Sequence, residues 1–237
     1  MNDKIVNKQA FILVHSVQNS GKSTFCRFIC PPALKEYLAE DIGTDKDSRI
    51  LMAKSFIINL DELSVMSRKD INSLKAMLSK THINERLPYD RKNTFLPRRC
   101  SFFGSTNQME FLNDETGTVR WLCFEINSID WNYSKDVDID KVWSQAYHLY
   151  RESDFKYNLT KEEILENEKR NNQYQILSLE RELINKYFIP DHEEKREHFM
   201  TATDIMSRLN SLTEREFRLN KEQVGKALKS LEFPQGR

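Results

Sequence analysis

Residues 10–24 read Ala-Phe-Ile-Leu-Val-His-Ser-Val-Gln-Asn-Ser-Gly-Lys-Ser-Thr, and no other stretch constrains the fold as strongly. The apolar run 11–14 predicts a fully buried strand. A polar turn follows, then Gly21-Lys22-Ser23-Thr24, then an apolar-periodic segment with Phe25, Phe28 and Ile29. Strand, turn, Gly-Lys-Ser and helix, in that order, are the context of a phosphate-binding P-loop. In such a loop, main-chain N–H groups of the turn and of the helix start surround phosphate oxygens. Ser16, Asn19, Ser20, Gly21, Lys22, Ser23 and Thr24 are therefore candidates for binding ATP. Lys22 would reach the β- and γ-phosphates, and the Ser23 hydroxyl would bind Mg2+. Ser16 stands where the pattern has its first glycine, and a small turn residue can keep the bend. The bland alternative is an ordinary strand–turn–helix carrying an exposed lysine.

The second anchor is 55–62, Ser-Phe-Ile-Ile-Asn-Leu-Asp-Glu. An apolar strand runs straight into two carboxylates, the Walker B arrangement. Asp61 would hold Mg2+ through its water shell, and Glu62 would polarise the attacking water. Consecutive residues at a strand end point opposite ways, so one carboxylate can serve the metal and the other the water. Both motifs are expected at the carboxyl edge of one parallel sheet, with Asp61 on a strand neighbouring that of the lysine turn. Ser67 and Asp70 form a variant capping box that opens a helix with Ile71, Leu74, Met77 and Leu78 on one face.

The stretch 81–99 concentrates charge. Arg86, Arg91, Lys92, Arg98 and Arg99 outnumber Glu85 and Asp90, with Tyr89 and Phe95 between them. A loop at 89–93 between two short strands is predicted. Tyr89, Arg91 and Lys92 suit phosphate-backbone and base-stacking contacts with nucleic acid, although a solvated surface hairpin has the same composition. The strand 100–104 runs into Ser105-Thr106-Asn107, and the Asn107 amide could contact a γ-phosphate or a lytic water. A fourth core strand is predicted over 119–126. Arg120 at its start is either an arginine finger for a neighbouring subunit or a surface arginine covering Trp121.

These motifs together resemble the virulence-associated protein E family, the ATPase part of phage, plasmid and mobile-element primase-helicases, itself similar to superfamily 3 helicases of the AAA+ class. The resemblance runs over 11–150: P-loop, Leu60-Asp61-Glu62, helix, Tyr89-Asp90-Arg91-Lys92, Pro97-Arg98-Arg99-Cys100, Gly104-Ser105-Thr106-Asn107, and 114–121 ending in Val119-Arg120-Trp121. It implies Lys22, Ser23, Asp61, Glu62 and Asn107 as the nucleotide site. It also implies Arg120 as the finger and the 91–92 loop as a DNA-contacting hairpin in the channel of a ring.

Composition sets the remaining limits. Thirty-six basic and thirty-six acidic residues cancel, so only local charge can identify partners. No apolar run has the length of a membrane span, and residues 1–8 lack a signal-peptide core, which points to the cytoplasm. The late first strand suits a domain cut from a longer chain. The four cysteines show no metal or CxxC spacing and read as buried thiols. In the C-terminal third, Ile139, Val142, Trp143, Ala146, Tyr147 and Tyr150 recur at helical spacing and are expected to pack on the sheet. Capping boxes at 160–163 and 201–204 open two further helices. A pair of short helices resembles a winged-helix or helix-turn-helix module, suited either to DNA contact or to protein docking, with Lys221, Lys226 and Lys229 outward.

The expected fold is α/β: an AAA+-like P-loop NTPase with a central parallel sheet flanked by helices, and a small helical, winged-helix-like C-terminal module. The expected divisions are a P-loop ATPase domain over 1–155, a charged helical connector over 156–198 and the module over 199–237. The expected activity is ATP hydrolysis coupled to movement along single-stranded or forked DNA, in a homo-oligomeric hexameric ring, with a primase domain on the same or another chain. A P-loop kinase, or a non-catalytic DNA-binding or assembly protein with a relic P-loop, would share many of these residues.

Overall fold

The computed structural model describes residues 6–43, 45–61, 63, 68–112, 118–152, 154–156, 158–191, 199–214, 216–231 and 233–234. Glu62 and Ser67 therefore lie outside the described residues, as does the 113–117 part of the Asp-Glu-Thr-Gly segment. The chain divides into two compact units, Met1–Gln175 and Ile176–Arg237.

In the first unit, five strands form one parallel sheet: β1 (Ala10–Val14), β2 (Leu38–Glu40), β3 (Ile57–Leu60), β6 (Ser101–Thr106) and β7 (Trp121–Glu125). Two more, β4 (His82–Glu85) and β5 (Thr94–Pro97), form a separate antiparallel hairpin. The sheet order is β2-β3-β6-β1-β7. Strand β1 thus has partners on both sides, and β6 lies between it and β3, so the lysine turn and Asp61 follow strands that are not immediate neighbours. Helices α1 (Lys22–Phe28), α2 (Lys46–Lys54) and α3 (Arg68–Ser79) are interspersed with these strands in the chain.

Burial corrects the expectation for β1. Ala10, Ile12 and Val14 are fully buried, whereas Phe11 and Leu13 on the other face are only half-buried. Phe11 stacks on Phe103 at 5.1 Å and on Phe124 at 6.4 Å, and Phe124 is exposed. The buried face packs with Ile71, Leu74, Met77 and Leu78 of α3, the stripe that the sequence predicts. Strand β7 is shorter than expected and lies at the sheet edge, covered only in its first residues.

A 3₁₀ turn, Pro32–Tyr37, ends as Leu38–Glu40 pairs with β3, and Phe56 N–H donates to the Tyr37 carbonyl. Residues 50–54 belong to α2, which Asp45 caps by accepting from the Ser48 N–H.

Helix α4 (Tyr133–Asp136) and helix α5 (Ile139–Arg151) follow β7. The expected packing of α5 on the sheet does not occur: none of its residues is buried. Its contacts run through Trp143, which donates to the Ile29 carbonyl at 2.8 Å and packs on Phe56. Val142, Tyr147 and Tyr150 of the same helix stay exposed.

Helix α6 (Lys161–Asn171) carries the predicted Thr160–Glu163 capping box. It docks on β7 through two buried asparagines. Asn167 donates to the Trp121 carbonyl at 3.0 Å, and Asn171 donates to the Trp121 and Thr118 carbonyls at 2.8 and 3.1 Å. Replacing Asn171 with Leu leaves main-chain acceptors without these donors and is expected to cost about 1–3 kcal/mol in urea unfolding.

The second unit comprises α7 (Leu179–Tyr187), α8 (Ala202–Leu212) and α9 (Lys221–Ser230) around Leu183, Ile184, Ile205, Leu209, Val224 and Ala227. Thr201 and Asp204 form the predicted capping box. Lys221, Lys226 and Lys229 are exposed. The stretch expected as one connector is split: α6 belongs to the first unit and α7 to the second. All four cysteines are free and buried, and burial pushes the Cys26 and Cys123 thiols up to about 12.

Candidate functional site

Three parallel strands bring the predicted site to one edge. The carboxyl ends of β1, β6 and β3 lead into the turn 15–21, into Asn107 and into Asp61. A cleft of about 390 Å³ opens there, and Asn19, Ser20, Gly21, Lys22, Ser23 and Thr24 line one wall. Asp61 and Asn107 line it as well. Ser16 is exposed and is not among the lining residues. Its backbone does not take a positive φ; that conformation falls on Asn19 (φ 54°) and Gly21 (φ 88°). The first-glycine position therefore tolerates serine, while Gly21 needs the freedom only glycine has in full.

Lys22 is almost fully buried, and its ammonium is held by four acceptors. It donates to the His15 and Val17 carbonyls at 3.1 and 3.0 Å, to Ser20 Oγ at 2.9 Å and to Asn107 Oδ1 at 2.8 Å. Burial lowers its pKa, and the Asp61 charge works in the other direction. An ammonium has three protons for these four acceptors, so an incoming anion can take one place without leaving a proton unpaired. Helix α1 starts at Lys22 with no side-chain cap and no acidic residue in its first turn, which leaves its amino end electropositive.

Opposite the lysine lies an oxygen cluster. Asp61 Oδ1 accepts from Ser23 Oγ at 2.7 Å and from Ser105 Oγ at 2.8 Å, and the two hydroxyls are 3.1 Å apart. Arg27 Nη2 is 3.9 Å from Asp61 Oδ2, and the same guanidinium pairs with Glu40 through Nε at 2.7 Å. Glu40 in turn accepts from Asn59 Nδ2, tying β2 to β3. A carboxylate flanked by hydroxyls is a hard donor set of the kind magnesium takes. Among the described residues no group of three or more His, Cys, Asp or Glu side chains gathers into a metal cage.

Ser105, Arg27 and Trp131 also line the cleft, and sequence reasoning gave none of them a role. Ser105 had a signal, being two residues before Asn107 on a strand that ends at the site. Arg27 had one too, four residues after Ser23 and so on the same helix face. Trp131 had none.

The other predicted residues lie elsewhere. Arg120 precedes β7, beside the start of β1, where its carbonyl accepts from Ala10 N–H. That is the amino edge of the sheet, about 15 Å of strand from the lysine turn. Its Nε donates to Ser79 Oγ at 2.8 Å. Tyr89, Arg91 and Lys92 are exposed at the tip of the β4–β5 hairpin, with Tyr89 in the left-handed conformation at φ 66°. Arg49 pairs with Glu85, the last residue of β4 before the loop, and keeps that carboxyl below its ordinary range, while His82 stacks on Phe95 across the two strands.

A parallel sheet flanked by helices, with polar side chains converging beyond its carboxyl ends, defines an α/β unit with a polar cleft at that edge. The virulence-associated protein E-like domain matches residues 6–176, and the chain belongs to that family. The resemblance read from 11–150 is borne out. No curated protein matches the chain. Among solved structures it is similar to the apo C-terminal region of NrS-1, residues 305–718, at 14% identity over 94% of this chain and 54% of that one, with a TM-score of 0.46. The A form of the same apo region gives 14% identity, 94% and 53% coverage and a TM-score of 0.44. The chain spans about half the length of those solved chains. Among the described residues no helix is long and apolar enough to cross a membrane.

Proposed function

We propose that the first unit is a P-loop ATPase of AAA+ type that drives movement along single-stranded or forked DNA, within a replication protein of a mobile element. The supporting observation is convergence: Lys22, Ser23, Asp61 and Asn107, from three strand ends and distant in sequence, meet by hydrogen bonds in one cleft. Lys22 would exchange its internal acceptors for the β- and γ-phosphate oxygens of ATP. Asn107, freed from Lys22, would turn its amide to the γ-phosphate. Ser23 and Asp61 would hold magnesium, Asp61 through its water shell, and the bound ion would offset charge developing on the phosphates. Glu62 is proposed as the group that orients the attacking water.

The location of Arg120 at the amino edge of the sheet suits action on a neighbouring subunit's nucleotide rather than its own. A hexameric ring is the assembly proposed, and the exposed hairpin tip is the proposed contact with DNA. A partner primase domain, on this or another chain, belongs to the same proposal, as does a cytoplasmic location.

The test is an ATPase assay with and without single-stranded DNA. The wild-type rate is expected to rise with DNA. Changing Arg91 and Lys92 together to Ala is expected to remove that rise, leave the DNA-free rate unchanged and lower the log–log salt slope of DNA binding by about 2. A DNA-independent rate, with phosphate transferred to a small acceptor, would favour a kinase instead.

A further inference from the structure

We infer that Trp131 is the stacking platform for the nucleobase of the nucleotide whose phosphates lie at Lys22. This rests on the nucleotide reading above and adds to it the part of the ligand that none of the phosphate-side residues can recognise.

Three observations carry it. The first is position. Trp131 lines the same cleft as Lys22, and its six-membered ring lies against Gly21: a Cβ built there would fall 2.6 Å from Trp131 Cη2. The positive φ of 88° favours glycine at 21, and a side chain there would also have to push the indole aside. The second is exposure. Trp131 is 59% exposed, although it is held beside a built, polar cleft. A large aromatic face left to water at the mouth of a cleft is a ready surface for a flat apolar ligand.

The third is anchoring. Asp130 Oδ1 accepts from the Asn132 N–H at 2.9 Å, and the Asp130 carbonyl accepts from the Tyr133 N–H at 3.1 Å. The Tyr133 ring then meets Phe25 and Phe28 of α1 edge-on, at 5.3 and 4.8 Å. The turn that presents the indole is therefore fastened to the helix that begins at Lys22. A platform fixed in this way loses little freedom when a base lies on it.

Stacking needs only the π-face that every base has, so purine nucleotides are expected to bind with similar affinity whatever their edge groups. The indole contributes nothing to a ligand without a base. Inorganic tripolyphosphate and ATP should therefore respond differently to its removal.

The experiment is isothermal titration of the full chain with Mg·ATP and with magnesium tripolyphosphate, for wild type, Trp131→Ala and Trp131→Phe. Trp131→Ala is expected to weaken ATP about tenfold or more and leave tripolyphosphate within twofold, and Trp131→Phe is expected to recover most of the ATP affinity. Equal ATP affinity in wild type and Trp131→Ala overturns the base platform and leaves the phosphate site standing. A parallel loss for ATP and tripolyphosphate also overturns it, since the indole then only shapes the turn over Gly21. A wild type that binds neither ligand overturns both this inference and the nucleotide reading beneath it.

Discussion

Lys22→Ala is expected to abolish nucleotide binding. Among the described residues that line the cleft, the ammonium is the one buried cation, and its four present partners are neutral acceptors that a smaller side chain leaves to water or to one another. At a hundredfold excess over its dissociation constant, a ligand that binds only the folded state stabilises it by about 2.7 kcal/mol. For a chain of this size that corresponds to a rise in melting temperature of roughly 5–10 °C. Wild type should gain this protection from Mg·ATP, and Lys22→Ala should gain none. The apo variant should melt near wild type, because removing a buried charge relieves the desolvation that depresses the Lys22 pKa. The comparison is made by differential scanning calorimetry with and without nucleotide.

Asp61→Asn should act in the opposite sense on binding and in the same sense on turnover. The substitution keeps the shape, and an amide oxygen can still accept from Ser23 and Ser105. It removes the negative charge that would hold magnesium, an interaction worth several kcal/mol in a phosphoryl-transfer site. ATP hydrolysis is therefore expected to fall by about 10²-fold or more. Binding of ATP in excess chelator should not weaken, and should tighten, because a carboxylate facing a polyanion is gone. The pair of variants separates a lysine that binds the phosphates from an aspartate that binds the metal. Loss of metal-free binding in Asp61→Asn would assign Asp61 a structural role in holding Ser23 and Ser105 together.

Most of the site was legible because its residues sit at strand ends. An apolar run followed by a polar turn and Lys-Ser, directly by Asp, or within three residues by Asn fixes both which sheet edge the polar group occupies and that the edge is shared. Lys22, Ser23, Asp61 and Asn107 were found this way, and they meet. The strand between them was not legible: nothing in the chain says that β6 separates β1 from β3. Trp131 could not be read because it lies in a turn without periodicity, and its role depends on a glycine a hundred residues earlier in the chain.

The misreadings have a common source. Periodicity shows that a helix has an apolar face but not what covers it. Helix α5 has a strong stripe, yet none of its residues is buried and it meets the rest of the unit through Trp143, on Ile29 and Phe56. Helix α6 looked almost wholly polar, yet it docks on β7 through asparagines whose amides replace apolar contact with hydrogen bonds to main-chain carbonyls. Strand β2 was missed because three residues after a proline-rich turn carry no period of their own.

The most direct measurement is a crystal structure grown with magnesium and a slowly hydrolysed ATP analogue. The account predicts phosphate oxygens within hydrogen-bonding distance of Lys22 Nζ, the Lys22–Asn107 bond broken, and magnesium on Ser23 Oγ with Asp61 reached through a bound water. Lys22 still bonded to Asn107, with the nucleotide absent or seated elsewhere on the molecule, would contradict it.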